Sequence, residues 1–551
     1  MKNTSALIKV NHYICCGIFL ISCFLQLRVS AQTLPVGGLL ENVEDALRRQ
    51  QLLGLDSSHN SFMIRPLSLS NKIFNGDTSH LALRVSDLSK QFYRSKNGST
   101  ELYLLPVTWI NQFNSHHPYG MNDGSMIPAK GYQTQLSAGV YAKIGPLSVQ
   151  LRPELVFAEN KDYRELSETS ESYNAYYNRI DQPSRYGSGT YTKLNWGQSS
   201  IRLTFDPVSI ALSNENLWWG PGMHNSLLMS NDAPGFKHLT LNTSKPIKTY
   251  IGSFETQIIG GKLEPSGINI FGGIKNKDKP NDWRYLSGII FTYQPKWIPN
   301  LYLGIDRSFI IYHKDLKRKF NYYLPIFTAA LKESYTDKEN IIVSEDQIPR
   351  DQYISGFARW VFPESRAEAY FQFGRNDTSY DIRDLLLEPE SSRAYIVGYR
   401  KLLELKKEDT YIQLGMELTR LEGTNPGDIR DEPIWYAHSK VPAGYTHKGQ
   451  MLGAGIGPES NQQTFDVAWV NGSKRVGLRV ENTAYNVTLS KVVDGDRKTW
   501  SDLSFSGKFD WDFANFILSS QMTYIKSTNY QYVIGGKANN LQIRVGLMYN
   551  Y

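Results

Sequence analysis

The 551-residue chain has only three cysteines, Cys15, Cys16 and Cys23, all within its first 31 residues. That stretch reads as a secretory signal. Lys2 and Lys9 give a positive start, Tyr13 to Leu25 an apolar centre, and Val29-Ser30-Ala31 a small-residue cleavage site. Leu20-Ile21-Ser22-Cys23 also matches a lipoprotein-type box, but the apolar run continues through Phe24 and Leu25, which favours cleavage after Ala31. The exported remainder then has no thiol, hence neither a disulfide framework nor a thiolate metal site. Long apolar runs are missing too. Beyond residue 31 nothing approaches the roughly 18 apolar residues of a membrane helix, so a polytopic helical membrane protein is excluded. Charge of one sign is also lacking. Removing Lys2, Lys9 and Arg28 from the 60 basic residues leaves 57 against 53 acidic ones, a net charge of only +4, and nothing calls for nucleic acid or an acidic membrane surface. Neither a Gly-rich phosphate loop ending in Gly-Lys nor a His-Glu-x-x-His zinc helix occurs. No cofactor or metal is expected.

Two patterns fill the space these absences leave. In residues 32–80, Leu39, Val43, Ala46, Leu47 and Leu53 fall near helical spacing and Gly54 follows as a stop. One short amphipathic helix is expected, or a helical pair with the segment before Ile64-Arg65-Pro66. Its apolar stripe must dock on something larger. From about residue 100 the period changes to two. Leu136, Ala138, Val140, Ala142 and Ile144 alternate with Gln135, Ser137, Gly139, Tyr141 and Lys143, and Gly145-Pro146 turns the chain into a second strand. The same grammar recurs at 201–205, 412–419, 475–481 and 541–550.

Repeated strands of this kind suit two architectures. A soluble sandwich or propeller turns its apolar face to a core; a membrane barrel turns it to lipid and lines its lumen with the polar face. The polar face here carries Arg, Glu, Lys and Gln with frequent Gly, as a lumen would. Trp196, Trp297, Trp360 and Trp469 sit near strand ends, as interfacial girdles do. The last strand runs to Tyr551, an aromatic end of the kind barrel assembly machinery reads. Closure also explains how an exported chain holds together without disulfides, since every backbone group is paired. About 470 residues at roughly 45–50 per hairpin give about 18–20 strands.

Three blocks carry a family resemblance. The first is Ser213-Asn214-Glu215-Asn216-Leu217-Trp218-Trp219-Gly220-Pro221-Gly222, followed by Asn225 to Phe236. The second runs from Phe373-Gly374-Arg375-Asn376-Asp377 through Asp381 and Arg383-Asp384 to Glu388-Pro389-Glu390 and Ser392-Arg393-Ala394-Tyr395. The third is Tyr445-Thr446-His447-Lys448-Gly449-Gln450 with Leu452-Gly453 and Ile456-Gly457-Pro458. The chain resembles the Wzi family of outer-membrane capsule assembly proteins, with Leu47-Arg48-Arg49-Gln50 and Ile64-Arg65-Pro66-Leu67 similar to its bacteroidete branch. The resemblance implies an all-β fold, a transmembrane antiparallel β-barrel of about eighteen strands. The chain then divides into the signal at 1–31, a helical segment at 32–80, which the resemblance puts near the periplasmic end, and the barrel at 81–551. The resemblance further implies a lectin-like, non-enzymatic role in the outer membrane, attaching capsular or extracellular polysaccharide at the cell surface. The expected form is a monomer in outer-membrane lipid. A channel for oligosaccharide or polymer is the alternative, and a barrel enzyme acting on lipid or glycan a third.

Two groups are candidates for polysaccharide binding or for lining the lumen. The first is Glu215, Asn216, Trp218 and Trp219. Adjacent tryptophans on a strand face opposite sides, one to lipid or headgroups and one inward. The inward ring suits a sugar face, or it simply packs the lumen while Gly220-Pro221-Gly222 makes a required turn. The second is Arg375, Asp377, Asp381, Arg383, Asp384, Glu388, Glu390 and Arg393. These hydrogen-bond sugar hydroxyls, or they form an ion-pair network that fixes a loop or plug. The polar stretches Tyr163 to Gly187, Asn276 to Asn281 and Lys332 to Gln352 read as long loops. In the first, Tyr173, Tyr176 and Tyr177 interleave with Asn174 and Asn178. His438 and His447 near Ser439 read as solvated loop histidines rather than parts of a catalytic triad.

Overall fold

The wall is built by alternation. In Lys537–Tyr549, Leu541, Ile543, Val545 and Leu547 point outward while Asn540, Gln542, Arg544 and Gly546 point inward. The computed structural model describes residues 32–56, 60–68, 89–163, 179–268, 279–327, 334–336, 342–344, 349–376, 392–407, 409–423, 434–487 and 499–551. Within them one sheet of 22 strand pieces closes on itself. Three pairs of pieces run on as single staves, and Lys90–Arg94 continues the place of the last strand, which leaves eighteen antiparallel staves. They are β1 (Thr100–Asn114), β2 (Gly131–Ile144), β3 (Leu147–Leu151 with Glu154–Ala158), β4 (Tyr191–Asn195 with Ser200–Phe205), β5 (Val208–Ser213), β6 (His238–Thr243 with Ile247–Lys248), β7 (Gly252–Leu263), β8 (Arg284–Pro295) and β9 (Leu301–Tyr312). The second half comprises β10 (Arg350–Phe362), β11 (Ala367–Asn376), β12 (Arg393–Glu404), β13 (Thr410–Arg420), β14 (Asn461–Asn471), β15 (Lys474–Tyr485), β16 (Trp500–Phe513), β17 (Phe516–Thr528) and β18 (Lys537–Tyr549). The seam closes with β18 against β1, from Tyr549 opposite Val107 to Gln542 opposite Asn114.

The outer face is apolar. Ile201, Leu203, Ile210, Leu212, Leu239 and Leu478 are each 40% exposed or more, a surface no soluble monomer carries. That removes the sandwich and propeller. Tight turns at Gly145-Pro146, Gly472-Ser473 and Ala514-Asn515 mark one end, together with Tyr551; the connections 115–130, 214–237 and 421–460 mark the other. In outer-membrane barrels the short turns are periplasmic and the long loops face outside. Trp297, Trp360 and Trp469 lie at the short-turn end, where Trp469 stacks on Trp511 with 6.1 Å between centroids. Trp196 differs: it sits in the break between the two halves of β4.

The lumen is filled. Helix α1, Glu41–Leu52, follows a 3-10 turn at Gly38–Leu40 and lies inside the short-turn end. It stops as expected. Gly54 takes φ +70°, and the Leu55 N–H donates to the Gln50 carbonyl at 2.9 Å. Its apolar stripe, Leu39, Leu40, Val43, Ala46 and Leu47, packs on Ile110, Val156, Ile517 and Met548 of the wall. The second helix of the expected pair is not found among the described residues. Around Phe62 the Asn60 and Ser61 side chains accept from nearby backbone N–H groups, a local arrangement that competes with helix. The described residues 32–56 and 60–68 of the N-terminal segment therefore pack within the barrel.

The polar face of α1 is held by ions. Glu368 on β11 receives Arg48 at 3.1 Å, Arg359 at 2.6 Å and Arg400 at 3.0 Å. Asp45 pairs with Arg49 and Arg400, and with Arg475 at 3.6 Å. Burial alone would raise the Asp45 carboxyl, but Arg49, Arg400 and Arg475 outweigh it and hold it well below the ordinary carboxylate range. A depressed carboxyl of this kind stabilises the fold above its unfolded pKa near 4 and loses that contribution only as pH falls below it.

Two outcomes check the architecture. An unboiled sample runs at a different mobility from a boiled one on a detergent gel; identical mobility contradicts a closed barrel. Glu368→Gln removes the charge shared by three guanidinium groups and destabilises the plugged barrel by about 3–5 kcal/mol, read as a lower temperature at which the folded band is lost.

Candidate functional site

The Trp-Trp-Gly-Pro-Gly block lies in the connection from β5 to β6, which dives from the long-loop end into the lumen. Trp218 and Trp219 form a short strand paired with Ile64–Arg65. Gly220 takes φ +100°, and a Cβ on Gly222 would collide with the Asn225 carbonyl, so the turn requires glycine at both. The Glu417 carboxylate on β13 caps it. It accepts from the backbone N–H groups of Met223 at 2.7 Å and Asn225 at 2.8 Å, and from the Tyr370 hydroxyl at 2.7 Å. Neither tryptophan faces lipid. Trp219 is fully buried and donates to Gln257 at 2.8 Å, and Trp218 lies 4.7 Å beneath the Arg65 guanidinium. The alternating rule presumed a wall strand; a strand inside the lumen has protein on both sides. Glu215 accepts from Arg202 at 3.1 Å and from Ser213 and Thr33. Asn216 accepts from Gln198 at 2.8 Å and donates to the Ala233 carbonyl at 2.8 Å.

In the second group, Arg375 and Arg393 are register partners on β11 and β12 at the long-loop end. Asp377, Asp381, Arg383, Asp384, Glu388 and Glu390 lie outside the described residues, as do Tyr173, Asn174, Tyr176, Tyr177 and Asn178. The third block folds inward as a hairpin of Thr446–His447 and Gln450–Met451. His447 is not solvated. It is buried, accepts from the Glu264 N–H at 3.0 Å, and burial drives its pKa well below the usual value. His438 accepts instead from the Lys440 and Val441 N–H groups, both at 3.2 Å, a local cap with no nucleophile in it.

Above the plug, at the long-loop mouth, lies a cup of about 220 Å3 walled by Tyr119, Tyr485, Trp500, Tyr530 and Tyr532. Six connections meet there, those after β1, β3, β5, β13, β15 and β17. Tyr530 packs on Trp500 at 5.1 Å and on His117 at 4.9 Å, and Trp500 on Tyr485 at 4.9 Å. The Trp500 indole N–H donates to Asp502 at 2.8 Å. Burial holds the His117 imidazole down at about 3, so it is neutral, and among the described residues its Nε2 has no hydrogen-bond partner. Burial pushes the Asp232 carboxyl at the cup wall up to about 7, against a lowering hydrogen bond from the Asn122 N–H. The half-buried rings of Tyr119, Tyr485 and Trp500, with the buried Tyr530 and Tyr532 packed beside them, and nearby amides and carboxyl groups make a surface for sugar rings. Beneath it, cavities of about 120 Å3 and 50 Å3 lie between plug and wall.

Residues 116–541 match the family model described as capsule assembly protein Wzi. The chain belongs to the Wzi family. Its fold is similar to Wzi of Escherichia coli, an outer-membrane protein involved in group 1 capsule assembly and described as a carbohydrate-binding β-barrel. The two share 12% identity over 95% of this chain and 100% of that one, with a TM-score of 0.60. Acinetobacter baumannii OccAB1 aligns at 8% identity over 84% of this chain and 98% of its own, with a TM-score of 0.42, too distant to bear on function. No curated protein matches in sequence. In this Wzi-family barrel the first and third motif blocks build the plug, while the described residues of the second lie at the ends of wall strands β11 and β12. The cup aromatics come from elsewhere, and of its lining only Tyr163, Gln182, Pro183, Ser184 and Tyr186 lie in a stretch the sequence marks as a sugar-suited loop.

Glu417→Ala strips the acceptor from the capped turn and destabilises the plug by about 3 kcal/mol. Thermal unfolding followed by tryptophan fluorescence reads it; an unchanged midpoint contradicts the capping role.

Proposed function

We propose that this barrel is a lectin-like tether of the outer membrane, attaching capsular or extracellular polysaccharide at the cell surface without chemical turnover. The observation that carries the reading is the aromatic cup at the outward mouth of a lumen filled by its own chain. Family membership and the fold shared with a carbohydrate-binding relative support it. Each engaged sugar unit contributes weakly, and a polymer presenting many units to many barrels is held by multivalency. The protein acts as a monomer, seated in lipid by its apolar wall and inserted by barrel assembly machinery. Of the twelve residues singled out in sequence, Glu215, Asn216, Trp218 and Trp219 serve the tether by holding the plug. Asp377, Asp381, Arg383, Asp384, Glu388 and Glu390, with Arg375 and Arg393, remain candidates for hydrogen-bonding the polymer's hydroxyls. A channel reading fits poorly with inner cavities of 120 Å3 and less.

In cells carrying Trp500→Ala with Tyr530→Ala, polymer is made in normal amount but shifts from cells to medium, while the folded barrel persists at normal level. Unchanged attachment rejects the cup as the tether. Loss of all polymer instead assigns the protein to synthesis or export.

A further inference from the structure

We propose that the outside of this barrel, where β6 to β9 reach the long-loop end, binds the phosphate groups of a phosphorylated lipid in the outer leaflet. The wall itself marks the height of this surface. Going up β9, the outward residues Leu303 and Ile305 are 38% and 48% exposed, and the next outward residue is Arg307. A cation on the lipid face is costly at the bilayer midplane and nearly free at the interface, so the apolar band ends there. Arg307 lies 4.6 Å over the Phe309 ring, and Arg350 of β10 lies 5.0 Å over the same ring. The chain leaving β9 then folds back onto the outer wall. Tyr322 and Pro325 close against Phe309 and Ile311, and the Tyr285 hydroxyl donates to the Tyr323 carbonyl at 3.1 Å. Phe309 and Ile311 point outward by alternation and are nevertheless buried.

This fold-back holds Lys317-Arg318-Lys319-Phe320 at the lipid boundary. All four side chains are exposed, Phe320 at 71%. Further round the wall, Lys237 and Lys262 are neighbours at the tops of β6 and β7, where the Lys262 N–H donates to the Lys237 carbonyl at 2.8 Å. Alternation with Leu239 and Ile258 turns both outward. Like charges set opposite one another repel, and an anion between them relieves the repulsion. Lys262 also sits 5.6 Å over Trp283, which stacks on His313 at 4.5 Å. Acids temper the surface: Glu264 lies 3.6 Å from Lys262, Asp282 lies 3.7 Å from His313, and Asp315 precedes the basic run. The balanced net charge of the whole chain hides this local excess of cations. The occupant is a lipid because cations and apolar wall share one face. Exposed aromatic rings and lysine stems suit the headgroup layer. Acyl chains lie against Leu303 and Ile305 below, and phosphates reach the cations above. A soluble anion meets only the upper half.

The test titrates the full-length barrel, in uncharged detergent, with lipid A, with dephosphorylated lipid A and with inorganic phosphate, and native mass spectrometry reads what stays bound. Lipid A binds at about tenfold or more lower concentration than its dephosphorylated form. Lys317→Gln, Arg318→Gln and Lys319→Gln together weaken lipid A by about a hundredfold, at about fivefold per cation near a charged surface, and leave the dephosphorylated form unchanged. Lys296→Gln, Lys406→Gln and Lys407→Gln together, in the short turns of the opposite end, change neither. Gel mobility confirms that each variant is folded. Equal binding of the two lipid forms overturns the proposal, as does the 317–319 variant without effect. Displacement of lipid A by an equal concentration of inorganic phosphate rejects the lipid and leaves a general anion site. If lipid A is refused while anionic surface polymer from the producing cells binds through Lys317 to Lys319, the surface belongs to polymer and the proposal fails. The tethering reading stands or falls separately, on the cup variants Trp500→Ala and Tyr530→Ala.

Discussion

Everything inside this barrel hangs on a buried charge arrangement. Two acids, Asp45 and Glu368, are shared among Arg48, Arg49, Arg359, Arg400 and Arg475, and all seven side chains are buried. Such a cluster is costly to desolvate, and a hydrophobic replacement of equal shape often matches it in stability. Its value is positional. An apolar stripe slides on an apolar wall with little penalty, whereas α1 satisfies these ions in only one seat. The wall supplies arginines at β10, β12 and β15, and the helix supplies its own at successive positions 48 and 49. Neither part is electrostatically complete without the other.

That seat determines what the molecule is able to do. With α1 filling the short-turn end and the Trp-Trp-Gly-Pro-Gly connection descending from the long-loop end, the two meet where Arg65 reaches Glu44 at 2.7 Å and the Gly220 and Gly222 carbonyls at 3.1 Å. A barrel of eighteen strands is wide enough to be a pore. Packed from both ends it becomes a rigid pedestal, and its chemistry moves to the rim. The cup is consequently built on connections anchored at both ends by wall strands and floored by Tyr119, Met121 and Asp123, residues it shares with the inner cavity.

The wall was legible in sequence because lipid on one side and a polar filling on the other impose a strict period of two. Leu136 to Ile144 and Leu541 to Leu547 behave as their spacing predicts. The helix was legible through the same logic at period 3.6, with Gly54 as its stop. The plug was not. Arg48 and Glu368 are 320 positions apart, and nothing local to either announces the other. Trp218 and Trp219 misled for a definite reason: alternation assigns faces only where the two faces differ, and within the lumen they do not. His447 misled likewise, since a polar stretch after a strand reads as solvated until the hairpin is seen to fold inward. The cup escaped notice because its rings come from connections at 119, 530 and 532 and from strand ends at 485 and 500, each unremarkable alone.

The helix also touches the line along which the cylinder is sealed. Leu39 lies against Gly546 on β18, where any larger residue would collide with it, and the same apolar cluster includes Ile110 on β1 and Met548 on β18. The first and last staves therefore share a common filler that is neither of them. Sealing the cylinder and seating its stopper are linked equilibria, each raising the other by the same free energy. The N-terminal segment thus acts as a latch on the seam: the chain fastens its own two edges from within.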